Sequence, residues 1–228
     1  YTELIKREMD VILEIEEKTS ELPIVSEFKF DTFGIMVRNY HVVFLGIYNR
    51  RLRKLPNSIG ELTELTNINL TQNTLSDLPE SFGLLTKLKG ISLDYNSFKF
   101  LPNAIVKLTE LVILEIGNNS IKSLPDTIGQ LTELRRLEIN MNSLTALPDS
   151  IGQLKHLEIL NLMNNELEKL PETIGQLTAL KELNLFENKL TTLPNSIGKM
   201  TALKELDLKN NKLTTLPDSI CELTMLEN

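Results

Sequence analysis

Residues 180–202 read LKELNLFENKLTTLPNSIGKMTA, and this stretch decides the fold because it recurs along most of the chain. Its leucine-proline pair at 193–194 has seven counterparts, which stand at 55–56, 78–79, 101–102, 124–125, 147–148, 170–171 and 216–217. Neighbouring pairs are 23 residues apart throughout, without an insertion or a deletion. A fixed period of this length indicates a repeat protein whose units stack on one another.

The first part of the repeat is typical of a strand. Leu183 and Leu185 alternate with polar residues, as expected for a strand with one buried face. Equivalent pairs occur in seven other copies, and they are Leu45/Ile47, Ile68/Leu70, Ile91/Leu93, Leu114/Ile116, Leu137/Ile139, Leu160/Leu162 and Leu206/Leu208. Eight such strands at the usual spacing would form a parallel sheet roughly 35 Å long.

An asparagine follows each strand except the first. Its positions are Asn73, Asn96, Asn119, Asn142, Asn165, Asn188 and Asn211. Because an amide side chain both donates and accepts, it can satisfy backbone groups where the strand turns into the core. Arg50 takes this place in the first copy, so we expect that copy to be an atypical terminal repeat.

The segment after each leucine-proline pair predicts a short helical or 3₁₀ turn. Pro148 suits a first helical position, because its missing N–H would be unpaired there in any case. Ile151 and Leu154 have the spacing to point inward, and Gly152 argues against a long helix.

The complete unit resembles the leucine-rich repeat family, L-x-x-L-x-L-x-x-N-x-L, in its 23-residue form, over residues 42–228. It is similar to the type found in prokaryotic and Ras-group-like intracellular members. The resemblance implies an α/β solenoid, or horseshoe, with a concave parallel β-sheet, short convex helical or 3₁₀ turns, and a buried asparagine ladder. We expect eight coils and a truncated ninth.

Residues 1–41 do not repeat and predict an N-terminal cap. An Ile5, Met9 and Ile12 stripe within residues 3–18 indicates an amphipathic helix. Two apolar runs flank the turn residues 38–41 and predict a hairpin. Five large apolar groups precede or enter it, namely Phe28, Phe30, Phe33, Ile35 and Val37. Such a cap would cover the first edge of the solenoid. It also resembles, more weakly, the N-terminal segment of some prokaryotic leucine-rich repeat proteins.

The other end carries no cap in the sequence. Leu223 and Leu226 match Leu62 and Leu65, and the chain then stops at residue 228. Terminal repeats normally need a polar outer face. We therefore expect either a fragment of a longer protein or an end that packs on another molecule, including a second copy of this chain.

Composition excludes several classes of function. The chain has 44 leucines, one cysteine, two histidines and a net charge of −7. It contains no phosphate-binding loop, nucleophile elbow or metal-ligand spacing, so we predict no enzyme, no catalytic residue, no metal and no cofactor. The negative charge argues against nucleic-acid binding, and no apolar run could span a membrane. We expect a cytoplasmic protein.

Function is expected on the exposed side of the sheet. Four rows, which begin at residues 44, 46, 48 and 49 and recur every 23 residues, would form one continuous, exposed concave surface. Unlike the buried leucines, these rows mix aromatic, apolar and charged groups, the composition of an interaction hot spot. The predicted partner-binding residues are Tyr95, Ile113, Glu115, Arg136, Glu138, Met141, Ile159, Met163 and Phe186. Glu115, Glu138, Glu182 and Asp207 would form an acidic strip that steers a basic partner.

Two classes of function fit this pattern. The first is a non-catalytic module that binds a protein or peptide on the concave face, as the family resemblance also implies. The second is the recognition arm of a larger signalling protein or enzyme, such as a GTPase, a kinase or a ubiquitin ligase.

Overall fold

A computed structural model of the chain describes residues 4–27, 29 and 31–227. One helix, α1 (Lys6–Glu16), precedes the sheet. The strands are β1 (Phe33–Arg38), β2 (His41–Ile47), β3 (Asn67–Asn69), β4 (Gly90–Ser92), β5 (Ile113–Glu115), β6 (Arg136–Glu138), β7 (Ile159–Asn161), β8 (Glu182–Asn184) and β9 (Glu205–Asp207). The eight predicted repeat strands are thereby confirmed as β2 to β9.

The sheet runs in chain order from β1 to β9. β1 pairs antiparallel with β2, and every later strand pairs parallel with the one before it. Equivalent repeat positions stand opposite each other, as Leu114, Leu137 and Leu160 do. The constant period is the reason for this register, since each coil brings the chain back to the equivalent position beside the previous strand.

A 3₁₀ turn follows each of the eight leucine-proline pairs of the repeat on the convex side. The turns are Asn57–Glu61, Glu80–Leu84, Ile105–Lys107, Asp126–Gln130, Asp149–Gln153, Glu172–Gln176, Asn195–Lys199 and Asp218–Glu222. Close stacking explains the glycine in most of them. A Cβ atom at Gly152 would lie 2.5 Å from the carbonyl oxygen of Thr173 in the next coil. Glycine is needed there for space, as well as limiting helix length.

One continuous hydrophobic core extends from Val11 in α1 to Leu223 near the other end. The asparagines lie at its edge and link consecutive coils. Asn165 is buried, its Oδ1 accepts the N–H of Leu144 at 3.0 Å, and its Nδ2 donates to the carbonyl of Ile139 at 3.0 Å. The same hydrogen bonds recur from coil to coil, so the asparagine ladder that the resemblance implies is present. Asn73, Asn165 and Asn188 are buried, whereas the other four asparagines are half-buried.

The first coil departs from the ladder, as predicted. Arg50 is exposed, and its guanidinium lies 3.9 Å from the centre of the Phe33 ring, a cation–π contact. The backbone N–H of Arg50 donates to Asn73 Oδ1 of the next coil at 3.1 Å.

The helix forms as predicted, but its expected apolar stripe is wrong in part. Ile12 is buried, whereas Ile5 and Met9 are only half-buried. The buried face consists of Glu8, Val11, Ile12 and Ile15. The buried face therefore differs from the predicted stripe, and it includes a carboxylate that accepts hydrogen bonds. A purely apolar pattern could not reveal that role.

Glu8 attaches the helix to the hairpin. Its Oε2 accepts the N–H of Val42 at 2.8 Å, and its Oε1 lies 2.8 Å from Nδ1 of His41. The predicted hairpin turn is present, with Asn39 and Tyr40 at φ 50° and 68°. Phe28 and Phe30 lie outside the described residues. The division into a cap at 1–41 and a solenoid at 42–228 remains our proposal.

The sheet edge at β9 is less covered than the middle of the solenoid. Leu206, Leu208, Leu213 and Ile220 are only partly buried, and Leu216 is 50% exposed. Self-association through this edge stays a prediction. Among the described residues, no helix is long and apolar enough to cross a bilayer.

Candidate functional site

The strand register assembles the concave surface that the sequence predicts. The first row runs along the sheet through Phe44, Asn67, Gly90, Ile113, Arg136, Ile159, Glu182 and Glu205. The second row lies two residues further along each strand, from Gly46 to Asp207. Backbone hydrogen bonds continue the ladder into the other two rows, for example from Asn164 N–H to the carbonyl of Phe186 at 2.8 Å.

The nine predicted binding residues fall into all four rows of this surface. Row one holds Ile113, Arg136 and Ile159, row two Glu115 and Glu138, row three Met163 and Phe186, and row four Tyr95 and Met141. Glu115 stands directly opposite Glu138, and Arg136 stands between Ile113 and Ile159. The register therefore brings the nine residues onto neighbouring coils without forming one unbroken apolar patch.

The apolar members differ in exposure. Tyr95, Ile113 and Met141 are exposed, with 49%, 37% and 40% of their surface accessible, whereas Ile159, Met163 and Phe186 are half-buried. Exposed apolar side chains also occur away from this surface, at Leu84 and Phe100. Apolar exposure alone therefore does not single out the concave surface.

The rows are not open along their whole length, contrary to the expectation of one continuous exposed surface. Phe44, Asn69, Thr71 and Gly90 are buried at the N-terminal end of the sheet. Neighbouring side chains fill the space there, and the amide of Asn67 lies over Gly90. The open part of the surface therefore begins near β4 and extends to β9.

Charge separates the concave surface from the rest of the solenoid. Its 32 positions include seven carboxylates, which are Asp94, Glu115, Glu138, Glu182, Glu187, Glu205 and Asp207. They include only two cations, Arg136 and Lys209, so the surface carries −5 of the chain's −7. The other positions of residues 42–228 hold 17 basic and 15 acidic groups and are slightly positive.

Asp94 is the most perturbed of these carboxylates, and the sequence interpretation did not select it. Burial raises its pKa to about 6, and the negative charges of Glu115 and Glu138 act in the same direction. The N–H of Gly117 donates to Asp94 Oδ1 at 2.6 Å and partly opposes this rise. The neighbouring Glu115 accepts a hydrogen bond from Ser92 Oγ at 2.6 Å.

A hollow of about 290 Å³ lies further along the surface, across β6 to β9. Its polar lining is formed by Arg136, Glu138, Asn161, Glu182, Asn184, Glu205 and Asp207, and Ile159 supplies an apolar wall. Arg136 forms an ion pair with Glu138 at 2.7 Å. The sequence interpretation placed Glu182 and Asp207 in the acidic strip but did not choose Glu205, although its register position is the same as that of Glu182.

Row four has an unusual backbone. All eight of its residues have φ between 51° and 57°, in the left-handed region. Asparagine tolerates this region, and it occupies four of the eight places, at residues 49, 118, 164 and 210. Tyr95 and Met141 hold the same conformation without that advantage, so the chain accepts backbone strain where it displays these two side chains.

The described part of the chain contains no group of three or more His, Cys, Asp or Glu side chains arranged to hold a metal ion. His41 contacts Glu8 of the helix, and His156 lies 3.9 Å from Glu133. Cys221 is exposed in the last 3₁₀ turn, in the place of the repeat glycine.

Comparison with known families gives a clear match. A family model described as "Leucine-rich repeat region" matches residues 31–144 and 128–228. A search of curated proteins found no match.

Solved structures share the fold. A leucine-rich repeat protein of Leptospira interrogans, LIC12759, is 37% identical with a TM-score of 0.79, covering 80% of this chain and 47% of its own. The ectodomain of the Arabidopsis thaliana receptor kinase GASSHO1/SCHENGEN3, in complex with CASPARIAN STRIP INTEGRITY FACTOR 2, is 26% identical with a TM-score of 0.70, covering 85% of this chain and 23% of its own. TLR13 in complex with ssRNA13 is 27% identical with a TM-score of 0.72, and the match covers 82% of this chain and 28% of the TLR13 chain. The chain thus spans about half the length of the Leptospira protein and about a quarter of the other two.

Proposed function

Since the chain belongs to the leucine-rich repeat family, we propose that its concave surface binds a protein or peptide partner without catalysing a reaction on it. One observation carries this proposal. The buried side of each strand repeats the same aliphatic residues, whereas the concave side changes in size, polarity and charge from strand to strand. A surface that varies on a constant scaffold is the arrangement expected of a recognition site.

The nine predicted residues provide the proposed contacts. Met163 and Phe186 are row-three residues of consecutive coils. Ile159 lies on β7, in the same coil as Met163. A partner's side chain can bury the remaining exposed area of such apolar groups, while the surrounding carboxylates fix the orientation of the partner. The Arabidopsis neighbour, solved in complex with CASPARIAN STRIP INTEGRITY FACTOR 2, supports the use of this fold for binding.

The test replaces Met163 and Phe186 with lysine and compares capture of partners from a lysate of the native host. We expect the M163K/F186K variant to lose the proteins that the unchanged chain retains, since a buried charge at an interface is costly to desolvate. The matched control is L84K/F100K, which places the same charges on two exposed apolar positions away from the concave surface. Equal capture by both variants, with both folded by circular dichroism, would refute the proposed site.

A further inference from the structure

We propose that the partner is a basic segment of another protein, whose lysine or arginine side chains enter the hollow across β6 to β9. This inference rests on the proposed function, since it assigns the chemistry of the partner to the same surface. It follows from how the chain distributes charge between coils.

Away from the concave surface, residues of opposite charge stand 23 positions apart and pair between coils. Lys87 lies 2.7 Å from Glu64, Arg135 lies 2.7 Å from Glu158, and Lys189 lies 2.8 Å from Glu166. In this geometry the repeat separation brings equivalent side chains next to each other. Opposite charges at that separation neutralise one another within the solenoid.

The concave surface follows the contrary pattern. Glu182 stands directly opposite Glu205 in the parallel register, and Glu115 stands opposite Glu138. Paired strands are about 4.8 Å apart, and like charges placed directly opposite each other are destabilising. The fold therefore holds carboxylates together where its own repeat would allow a salt bridge.

An internal ion pair and a backbone hydrogen bond compensate only part of this charge. Arg136 pairs with Glu138, and the backbone N–H of Lys209 donates to Asp207 Oδ1 at 2.9 Å. Within the described ranges, the ion pairs leave out Glu182, Glu205 and Asp207, which together line the hollow. A cationic side chain of a partner would replace mutual repulsion with attraction at these three groups.

The surroundings specify the partner further. Ile159 forms one wall of the hollow. Met163 and Phe186 lie in the coils of β7 and β8, two of the strands that line it. A segment that carries apolar residues beside its lysines or arginines would fill both features. A polyanion such as nucleic acid would meet the −5 charge of the surface instead and be repelled.

The experiment selects binders from a random 12-residue peptide library displayed on phage. Three forms of the full chain serve as targets: the unchanged protein, a concave variant E182Q/E205Q/D207N, and a convex control D126N/E133Q/D149N. Both variants remove three negative charges, so general attraction to an acidic protein is the same for the two. The concave variant should unfold at no lower urea concentration than the unchanged protein, because it removes repulsion between neighbours.

We expect the unchanged chain and the convex control to enrich peptides rich in lysine or arginine. The best peptide should bind the concave variant about tenfold more weakly and the convex control within about twofold of the unchanged chain. Enriched peptides without an excess of basic residues, or an equal loss of binding in both variants, would overturn the inference. If such peptides still require Met163 and Phe186, the proposed function stands and only the basic partner is rejected. If no binding requires those two residues, the proposed function fails as well.

Discussion

The two sides of each strand differ in how much they change along the sheet. On the inner side, Leu114, Leu137, Leu160 and Leu183 are at most 1% exposed and occupy equivalent positions. On the concave side, the residues immediately before them are isoleucine, arginine, isoleucine and glutamate. The inner side chain must fit between the aliphatic side chains of the two neighbouring coils, whereas the outer one meets solvent or a partner. The fold therefore constrains one side and leaves the other available for recognition.

The largest effect should come from the inner side. Leu137→Ala removes a fully buried side chain in the middle of the stack and should lower the free energy of unfolding by about 2–5 kcal/mol. Ile113→Ala, on the neighbouring strand but 37% exposed on the concave side, should cost less than about 1 kcal/mol. Urea unfolding followed by circular dichroism measures both. Similar losses for the two variants would remove the proposed difference between the two sides.

A smaller effect of opposite sign is expected at Asp94. Its carboxyl has a pKa of about 6 in the folded protein and 3.8 as its ordinary value, so the folded state binds more protons between these two values. The free energy of unfolding should therefore fall as pH rises from about 4 to about 6 and remain lower above that. Asp94→Asn keeps an oxygen for the N–H of Gly117 and removes the charge. We expect it to stabilise the protein by about 1–2 kcal/mol at pH 7.5.

The pH dependence distinguishes this cause from a general gain in packing. Asp94→Asn should flatten the stability profile between pH 4 and 6. The same exchange at Asp126, on an exposed 3₁₀ turn, is the matched control. Thermal unfolding at a series of pH values gives both profiles. A profile for Asp94→Asn as steep as that of the unchanged protein would show that another group titrates.

The smallest effect concerns the strained row. Met141→Asn places a residue that tolerates positive φ at φ 53° and should stabilise the fold by about 0.5–1 kcal/mol. The reverse exchange, Asn118→Met in the neighbouring coil at φ 51°, should destabilise it by a similar amount. Urea midpoints of the two variants test this directly. Changes of the same sign would show that side-chain contacts, and not the backbone, decide stability at this row.

Much of the fold could be predicted because the repeat constrains it at every coil. The strands, the 3₁₀ turns, the asparagine ladder and the departure at Arg50 are all properties of single positions repeated at a fixed distance. The buried face of the N-terminal helix was harder to predict, because it includes the charged residue Glu8. The carboxylate of Glu8 contacts His41 and the backbone N–H of Val42. A buried carboxylate that finds its partners 33 and 34 residues away has no local signal.

The sequence predicted which rows form the candidate site, but not which of their positions are buried or have a shifted pKa. Half of row four is asparagine, and this excess was a signal of positive φ that the sequence interpretation did not use. The excess of negative charge on the concave rows could also have been counted from the sequence. By contrast, the burial of Thr71 and Gly90 and the high pKa of Asp94 depend on neighbours in adjacent coils.

By itself, the sequence determined the coil, the order of the coils and the two sides of each strand, because a period of 23 residues leaves one way to stack identical units. The tertiary structure decided which positions on the outer side are open, which carboxylates face each other, and which of them is difficult to ionise. These properties depend on distances between coils, and only the folded chain brings residues 23 positions apart into contact.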